Sequence, residues 1–92
     1  MAVTVKLPTQ LRDAAGGAAT AQVEGSTVGE VLEALYSEHG ELRERLSADG
    51  GGLRRFVNVY LGGEDIRFLD GLDTPTEDGA EVTILPAVAG GA

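Results

Sequence analysis

One strong helical pattern lies between segments that alternate like β-strands, and this order limits the fold more than any other feature. Thr27 followed by Glu30 matches a capping box, in which each side chain accepts a hydrogen bond from a free backbone donor at the helix start. Gly40 is predicted as the left-handed cap at the helix end. The helical stripe of apolar residues comprises Val28, Val31, Leu32, Leu35 and Tyr36.

Segments with a period of two flank this helix and predict strands. A further helical turn is predicted at Glu41–Leu46 and a flexible loop at Asp49–Gly52. This order predicts an α+β fold of the β-grasp type, a mixed sheet of about four to five strands with one main helix packed across one face. The first and last strands are expected side by side in its centre. The predicted strands are Ala2–Leu7, Ala18–Glu24, Arg54–Leu61, Ile66–Phe68 and Glu81–Leu85.

Charge and composition exclude several classes of function. The net charge of −8 disfavours nucleic acid and anionic membrane surfaces as partners. The chain contains no cysteine, so disulfides, thiolate metal sites and cysteine nucleophiles are excluded. No apolar stretch approaches the ~20 residues of a membrane span, and a cytoplasmic location is expected.

Catalytic patterns are scarce. His39 is the only histidine and falls in the last turn of the predicted helix, where a surface or capping role is favoured over catalysis. The acidic residues at 70–78 lack the alternate spacing of a calcium loop, and Asp49–Gly52 lacks the lysine and hydroxyl residue of a phosphate loop. We therefore predict no catalytic residue, no metal site and no permanently bound cofactor, so the protein itself is not expected to be an enzyme.

Two features point instead to binding. Leu85 falls on the strand face opposite Val82 and Ile84, which predicts an apolar docking patch. Phe56 and Tyr60 join this patch if their strand turns its other face to the helix, and the reverse register remains open. The second feature is the uncharged ending A-V-A-G-G-A after Pro86, which divides the chain into a domain at 1–86 and a flexible tail at 87–92.

These features resemble the ubiquitin-like sulfur carriers of the ThiS/MoaD family over nearly the whole chain. The resemblance is carried by D-G-A-E-V-T-I-L-P-A-V-A-G-G at Asp78–Gly91, by F-V-N-V-Y at Phe56–Tyr60 and by V-T-V-K-L-P-T-Q-L-R near the start. Within the family, E-D-I-R-F at Glu64–Phe68 and the ending make the chain most similar to the CysO branch. The resemblance implies a carrier whose terminal glycine is adenylated and then converted to a thiocarboxylate that donates sulfur.

The resemblance also implies partners and site residues. Gly91 would be the activated residue, while Val88, Ala89 and Gly90 would lie in the channel of an adenylating enzyme that uses ATP. The surface that binds this enzyme would include positions matching Pro8, Leu61 and Leu85. The implied sulfur acceptor is a biosynthetic enzyme such as a cysteine synthase. A molybdopterin synthase small subunit, a carrier for thiamin or a secondary metabolite, and a binding module or protein modifier without sulfur transfer remain alternatives.

Ala92 departs from the active family ending because it follows the glycine pair. With alanine in the last position, the free carboxylate does not belong to Gly91, and activation first requires removal of Ala92. The resemblance implies that a JAMM-type metalloprotease performs this step. An alanine added during expression is the alternative explanation.

Overall fold

The computed structural model describes residues 2–47, 53 and 57–86. The strands are β1 (Ala2–Lys6), β2 (Thr20–Glu24), β3 (Val57–Leu61), β4 (Glu64–Asp65) and β5 (Glu81–Pro86), and the helices are α1 (Val28–Glu38) and α2 (Gly40–Leu46). Short 3₁₀ helices lie at Thr9–Ala15, Ile66–Phe68 and Gly71–Asp73. The predicted loop at Asp49–Gly52 and the first residues of the strand predicted at Arg54–Leu61 lie outside the described residues.

The five strands form one mixed sheet in the order β2-β1-β5-β3-β4. β1 and β5 lie side by side and run parallel, with Thr4 opposite Glu81 and Lys6 opposite Thr83. The remaining pairs, β1 with β2, β5 with β3 and β3 with β4, are antiparallel. The predicted mixed sheet with the first and last strands in its centre is thereby confirmed.

The core lies between the sheet and the two helices. All five residues of the predicted helical stripe are buried, and Thr27 caps α1 by accepting a hydrogen bond from the Glu30 amide at 3.1 Å. α2 has no side-chain cap at its start, so burial of Leu42 and Leu46 must hold this short helix in place. From the central strands the buried side chains are Val3, Val5, Val59, Val82 and Ile84.

Gly40 corrects one prediction. Its φ does not lie in the left-handed region, and the residue opens α2 instead of ending α1. His39 lies between the two helices, and its backbone angles of φ −135° and ψ 81° are not helical, so α1 ends and α2 begins at this residue. The second helix buries the apolar pair Leu42 and Leu46, which is the physical reason that the chain starts a new helix here instead of ending in a cap.

The strand predicted at Ile66–Phe68 is also wrong, because this segment forms a 3₁₀ helix and the strand is the preceding pair Glu64–Asp65. The Asp65 carboxylate accepts a hydrogen bond from the Arg67 amide at 2.9 Å. Such a contact from an aspartate to the backbone two residues later favours a turn over an extended strand.

Candidate partner-binding face

The sheet has one face covered by the helices and a second face, here called the outer face, that the helices leave uncovered. Val82 and Ile84 point into the core, while Leu85 points to the outer face and is 44% exposed. The predicted orientation of Leu85 is therefore confirmed. On the same face, Lys6 of β1 and Glu81 of β5 form an exposed ion pair, with 3.4 Å between the Lys6 Nζ and Glu81 Oε2 atoms.

The register of β3 also brings Tyr60 to the outer face. Val59 is buried, and Val57 packs against the core, so this strand turns its odd-numbered residues towards the helices. Tyr60 lies opposite Thr83 on β5. Phe56, which is predicted to join Tyr60 in the patch, lies outside the described residues.

Pro8 and Leu85 lie at the same end of the sheet. β1 and β5 are parallel, and each of these residues comes two positions after a paired residue, Lys6 or Thr83. Pro8 keeps an extended backbone, with φ −71° and ψ 162°, so the alternation of β1 continues to it. β5 runs towards this end and finishes at Pro86, so the last described residue before residues 87–92 lies at the same end of the sheet as Pro8 and Leu85.

Leu61 is not brought together with these residues. It packs against the core on the helix-facing side of the sheet, opposite Val82 near the beginning of β5. Pro8 and Leu85 lie at the other end and on the other face. A contact of Leu61 with a partner stays a prediction from the resemblance alone.

A polar cluster that the sequence analysis missed lies beside Leu85. Asn58 pairs with Leu85 in the sheet, and its side-chain oxygen accepts a hydrogen bond from the Arg67 guanidinium at 2.9 Å. Arg67 also donates to both carboxylate oxygens of Asp65, at 2.7 to 3.2 Å. The Asp65 side chain is only 8% exposed, whereas that of Arg67 is 66% exposed. One end of the guanidinium is thus fixed while the rest faces solvent.

Hydrogen bonds from Arg67 set the charge of this cluster. Those from its side chain and then from its amide hold the pKa of Asp65 below its ordinary value. The carboxylate is therefore ionised at neutral pH and remains paired with the cation. The sequence signal was the pair Asp65 and Arg67 at a two-residue spacing, which is typical of a turn, but nothing in the sequence connects Asn58 to it.

The described residues contain no group of three histidine or acidic side chains that could hold a metal ion. Within the same part of the chain, neither helix has the length and apolar character needed to cross a membrane. His39 ends α1 and donates its amide to the Leu35 carbonyl. The predicted tail and processing residues, Val88, Ala89, Gly90, Gly91 and Ala92, lie outside the described residues.

The central parallel strand pair, the mixed five-stranded sheet and the helices on one face define the ubiquitin-like β-grasp class. Residues 5–91 match the ThiS family, and the chain belongs to that family. The sulfur carrier protein CysO of Mycobacterium tuberculosis is 47% identical over an alignment of 93 positions, which covers 99% of this chain and 100% of the relative.

Two solved structures show the same fold. The BexX/CysO complex of Amycolatopsis orientalis contains a chain with a TM-score of 0.89 and 45% identity, covering 97% of this chain and 99% of that one. SAMP1 from Haloferax volcanii, whose name stands for a small archaeal modifier protein, has a TM-score of 0.85 and 33% identity, covering 99% and 100% of the two chains.

Proposed function

We propose that this protein is a sulfur carrier that works in the cytoplasm and is a substrate of its partner enzymes, not an enzyme. The observation that carries the proposal is the whole-length identity of 47% to a sulfur carrier protein, together with a family match that extends through Gly91. The β-grasp domain is the part that the partner enzymes bind, and the chemistry takes place at the Gly90–Gly91 pair near the end of the chain.

The chemistry begins at the Gly91 carboxylate, which is a poor electrophile. An adenylating enzyme joins it to the AMP portion of ATP and releases pyrophosphate, which forms an acyl-adenylate with a good leaving group. A sulfur donor at the oxidation level of sulfide then attacks the carbonyl carbon of the acyl-adenylate. AMP departs, and a thiocarboxylate remains. The glycine pair suits passage through a narrow channel because neither residue carries a Cβ.

The outer face is the proposed contact surface for the adenylating enzyme. Pro8 and Leu85 lie at the end of the sheet where β5 finishes at Pro86, and Tyr60 lies on the same face. An enzyme that binds there is in position to take up the tail. The relative solved in a BexX/CysO complex supports a function that depends on binding a protein partner.

The experiment compares a chain ending at Gly91 with one ending at Ala92. Each is incubated with ATP, its adenylating enzyme and a sulfide source, and the intact mass is measured. The Gly91 form should gain the mass of one oxygen-to-sulfur exchange, whereas the Ala92 form should gain none until a JAMM-type metalloprotease removes the alanine. An unchanged Gly91 form, with the enzyme active on another carrier, would refute the proposal.

We propose cysteine, assembled by a cysteine synthase on an activated serine derivative, as the product of the sulfur transfer. Thiamin, the molybdenum cofactor and sulfur-containing secondary metabolites are the alternative destinations. Incubating the thiocarboxylate form with each acceptor enzyme and its substrate distinguishes them. Only the true acceptor consumes the thiocarboxylate: its sulfur displaces the leaving group of the substrate, the chain gains the mass of the acyl-linked product, and hydrolysis of that link returns the mass of the carboxylate.

A protein modifier is the second candidate function, and similarity to two proteins that are named modifiers favours it. Small archaeal modifier protein 1 of Haloferax volcanii is 35% identical over 88 residues, and small archaeal modifier protein 3 is 41% identical over 68 residues. A modifier shares the adenylation step but forms an isopeptide bond to a lysine. Recovery of Gly91 linked to lysine side chains would select this function.

A further inference from the structure

Phe68 is a large apolar side chain that the fold leaves in solvent. It is 83% exposed, the highest value for a large hydrophobic residue in the described part of the chain, and the following Leu69 is 38% exposed. Phe68 ends the 3₁₀ helix that follows the edge strand β4, and Leu69 comes directly after it. The outer face proposed above does not include them.

The 3₁₀ helix Ile66–Phe68, here called the Phe68 turn, is fixed by contacts before and after it. Asp65 caps its beginning, and Ile66 in its first position is buried in the core. After the turn, the Asp70 amide donates to the Thr74 hydroxyl at 3.0 Å, and the same hydroxyl donates to the Gly71 carbonyl at 2.7 Å. A rigid backbone that presents an exposed aromatic side chain loses little conformational entropy on binding, which is a property of interface anchors.

Carboxylates surround this side chain in the sequence. Arg67, the one cation within residues 64–73, is already paired with Asp65. Glu64, Asp70 and Asp73 take part in no ion pair among the described residues. Phe68 therefore projects from an acidic margin, which is complementary to an apolar pocket with a basic rim. The net charge of −8 disfavours a second copy of this chain as the occupant.

The outer face and the Phe68 turn are continuous through Arg67. Its guanidinium contacts Asn58, which pairs with Leu85, and its backbone adjoins Phe68. A partner that covers Leu85 and reaches across Arg67 thus meets Phe68 at the β4 edge. This continuity favours the adenylating enzyme, which must bind before the tail can be activated.

We propose that Phe68 and Leu69 form a second anchor for the adenylating enzyme, inserted into an apolar pocket that lysine or arginine residues surround. The proposal rests on the proposed function, because that function supplies the partner. It adds the β4 edge to the docking surface and states the chemistry that the enzyme must offer there.

The test measures binding of the adenylating enzyme by calorimetry without ATP, so that affinity is separated from the chemical steps. Phe68→Ala should weaken binding about tenfold or more, the size of effect expected for an aromatic anchor. Gln22→Ala, an exposed change on β2 at the opposite edge of the sheet, should leave the affinity unchanged. Both variants should keep the wild-type urea midpoint, because each side chain is exposed.

A second arm tests the basic rim. The double variant Asp70→Asn and Asp73→Asn should associate more slowly than the wild type at low salt, and its association rate should depend less on salt concentration. Equal rates for the two proteins would overturn the basic rim. The same measurement on the wild type provides the reference salt dependence.

The outcomes separate this proposal from the proposed function. Wild-type affinity for Phe68→Ala, while the wild type forms the thiocarboxylate, would overturn the anchor and leave the sulfur carrier intact. Weakened binding by Phe68→Ala without any thiocarboxylate in the wild type would support the anchor and refute the carrier. Self-association of the wild type that Phe68→Ala abolishes would also overturn the anchor, because the turn would then contact a second copy.

Discussion

At the residue scale, two glycines that look alike in the sequence differ completely in the fold. A Cβ at Gly25 would lie 2.7 Å from the Val31 amide nitrogen and 3.0 Å from the carbonyl carbon of Glu30. At Gly40 an added Cβ would meet nothing within 4 Å, and the backbone is not left-handed. Nothing in the sequence separates the two positions, because the approach of α1 to Gly25 depends on tertiary packing.

These two positions predict opposite effects of the same substitution. Gly25→Ala should lower the free energy of unfolding by about 1–3 kcal/mol, because backbone atoms cannot move aside easily. Gly40→Ala should raise it by up to about 1 kcal/mol, since alanine restricts the unfolded chain and favours helix. Urea denaturation of the two variants and the wild type measures both values. An unchanged midpoint for Gly25→Ala would contradict the steric account.

A third glycine, Gly29, had no evident role in the sequence. Its added Cβ would lie 3.1 Å from the Leu72 carbonyl oxygen, so the missing side chain allows the 3₁₀ helix at Gly71–Asp73 to pack against the first turn of α1. Such a contact joins residues far apart in the chain. Single-sequence reasoning can find the glycine but not its neighbour.

At the element scale, prediction succeeded where one periodic pattern decided the structure. α1 has a cap and a continuous apolar stripe, and both appear as expected. Prediction failed at Ile66–Phe68, where β-forming side chains favour a strand but the Asp65 carboxylate favours a turn. A short element has too few residues for its period to outweigh one side-chain hydrogen bond.

The turn after β4 gives a pH-dependent prediction. The pKa of Asp65 is lower in the folded protein than its ordinary value of 3.8, chiefly because of the hydrogen bonds from Arg67. The folded state therefore binds this proton less readily than the unfolded state, and the stabilisation is present above about pH 4 and declines as pH falls through the lowered pKa. Asp65→Asn should destabilise the protein equally at pH 7 and pH 5.

Urea denaturation over this pH range checks the prediction. The difference in stability between wild type and Asp65→Asn should narrow only below about pH 4, where the Asp65 carboxylate of the unfolded wild type begins to take up a proton while that of the folded protein stays ionised. Glu64→Gln is the matched control, because this neighbouring side chain is exposed and forms no ion pair among the described residues. A difference that is constant down to pH 2 would show that Asp65 does not act through its charge.

At the scale of the whole molecule, the sheet order followed from the sequence because its two halves and single main helix leave few arrangements. The orientation of Leu85 also followed, from alternation along β5. The cluster of Asn58, Asp65 and Arg67 did not, since it requires the register of β3 and the turn after β4 at once. Composition and period predict faces of elements, whereas contacts between elements arise only from assembly.

The division into a domain at 1–86 and a tail at 87–92 remains a prediction, and it can be tested by removing the tail. The buried hydrophobic residues of the described core all lie between Val3 and Ile84. The free energy of unfolding of a chain ending at Pro86, measured in urea, should therefore lie within about 0.5 kcal/mol of that of the full chain. The same truncation should abolish activation completely, because it removes Gly91.

The control for this truncation is a chain ending at Gly91, which keeps both the domain and the activated residue. It should match the shorter chain in stability and differ from it only in forming the thiocarboxylate. If the chain ending at Pro86 is destabilised by several kcal/mol, the tail belongs to the folded domain and cannot be free to enter a partner. Equal stability with opposite reactivity would instead assign folding to residues 1–86 and chemistry to residues that the core does not need.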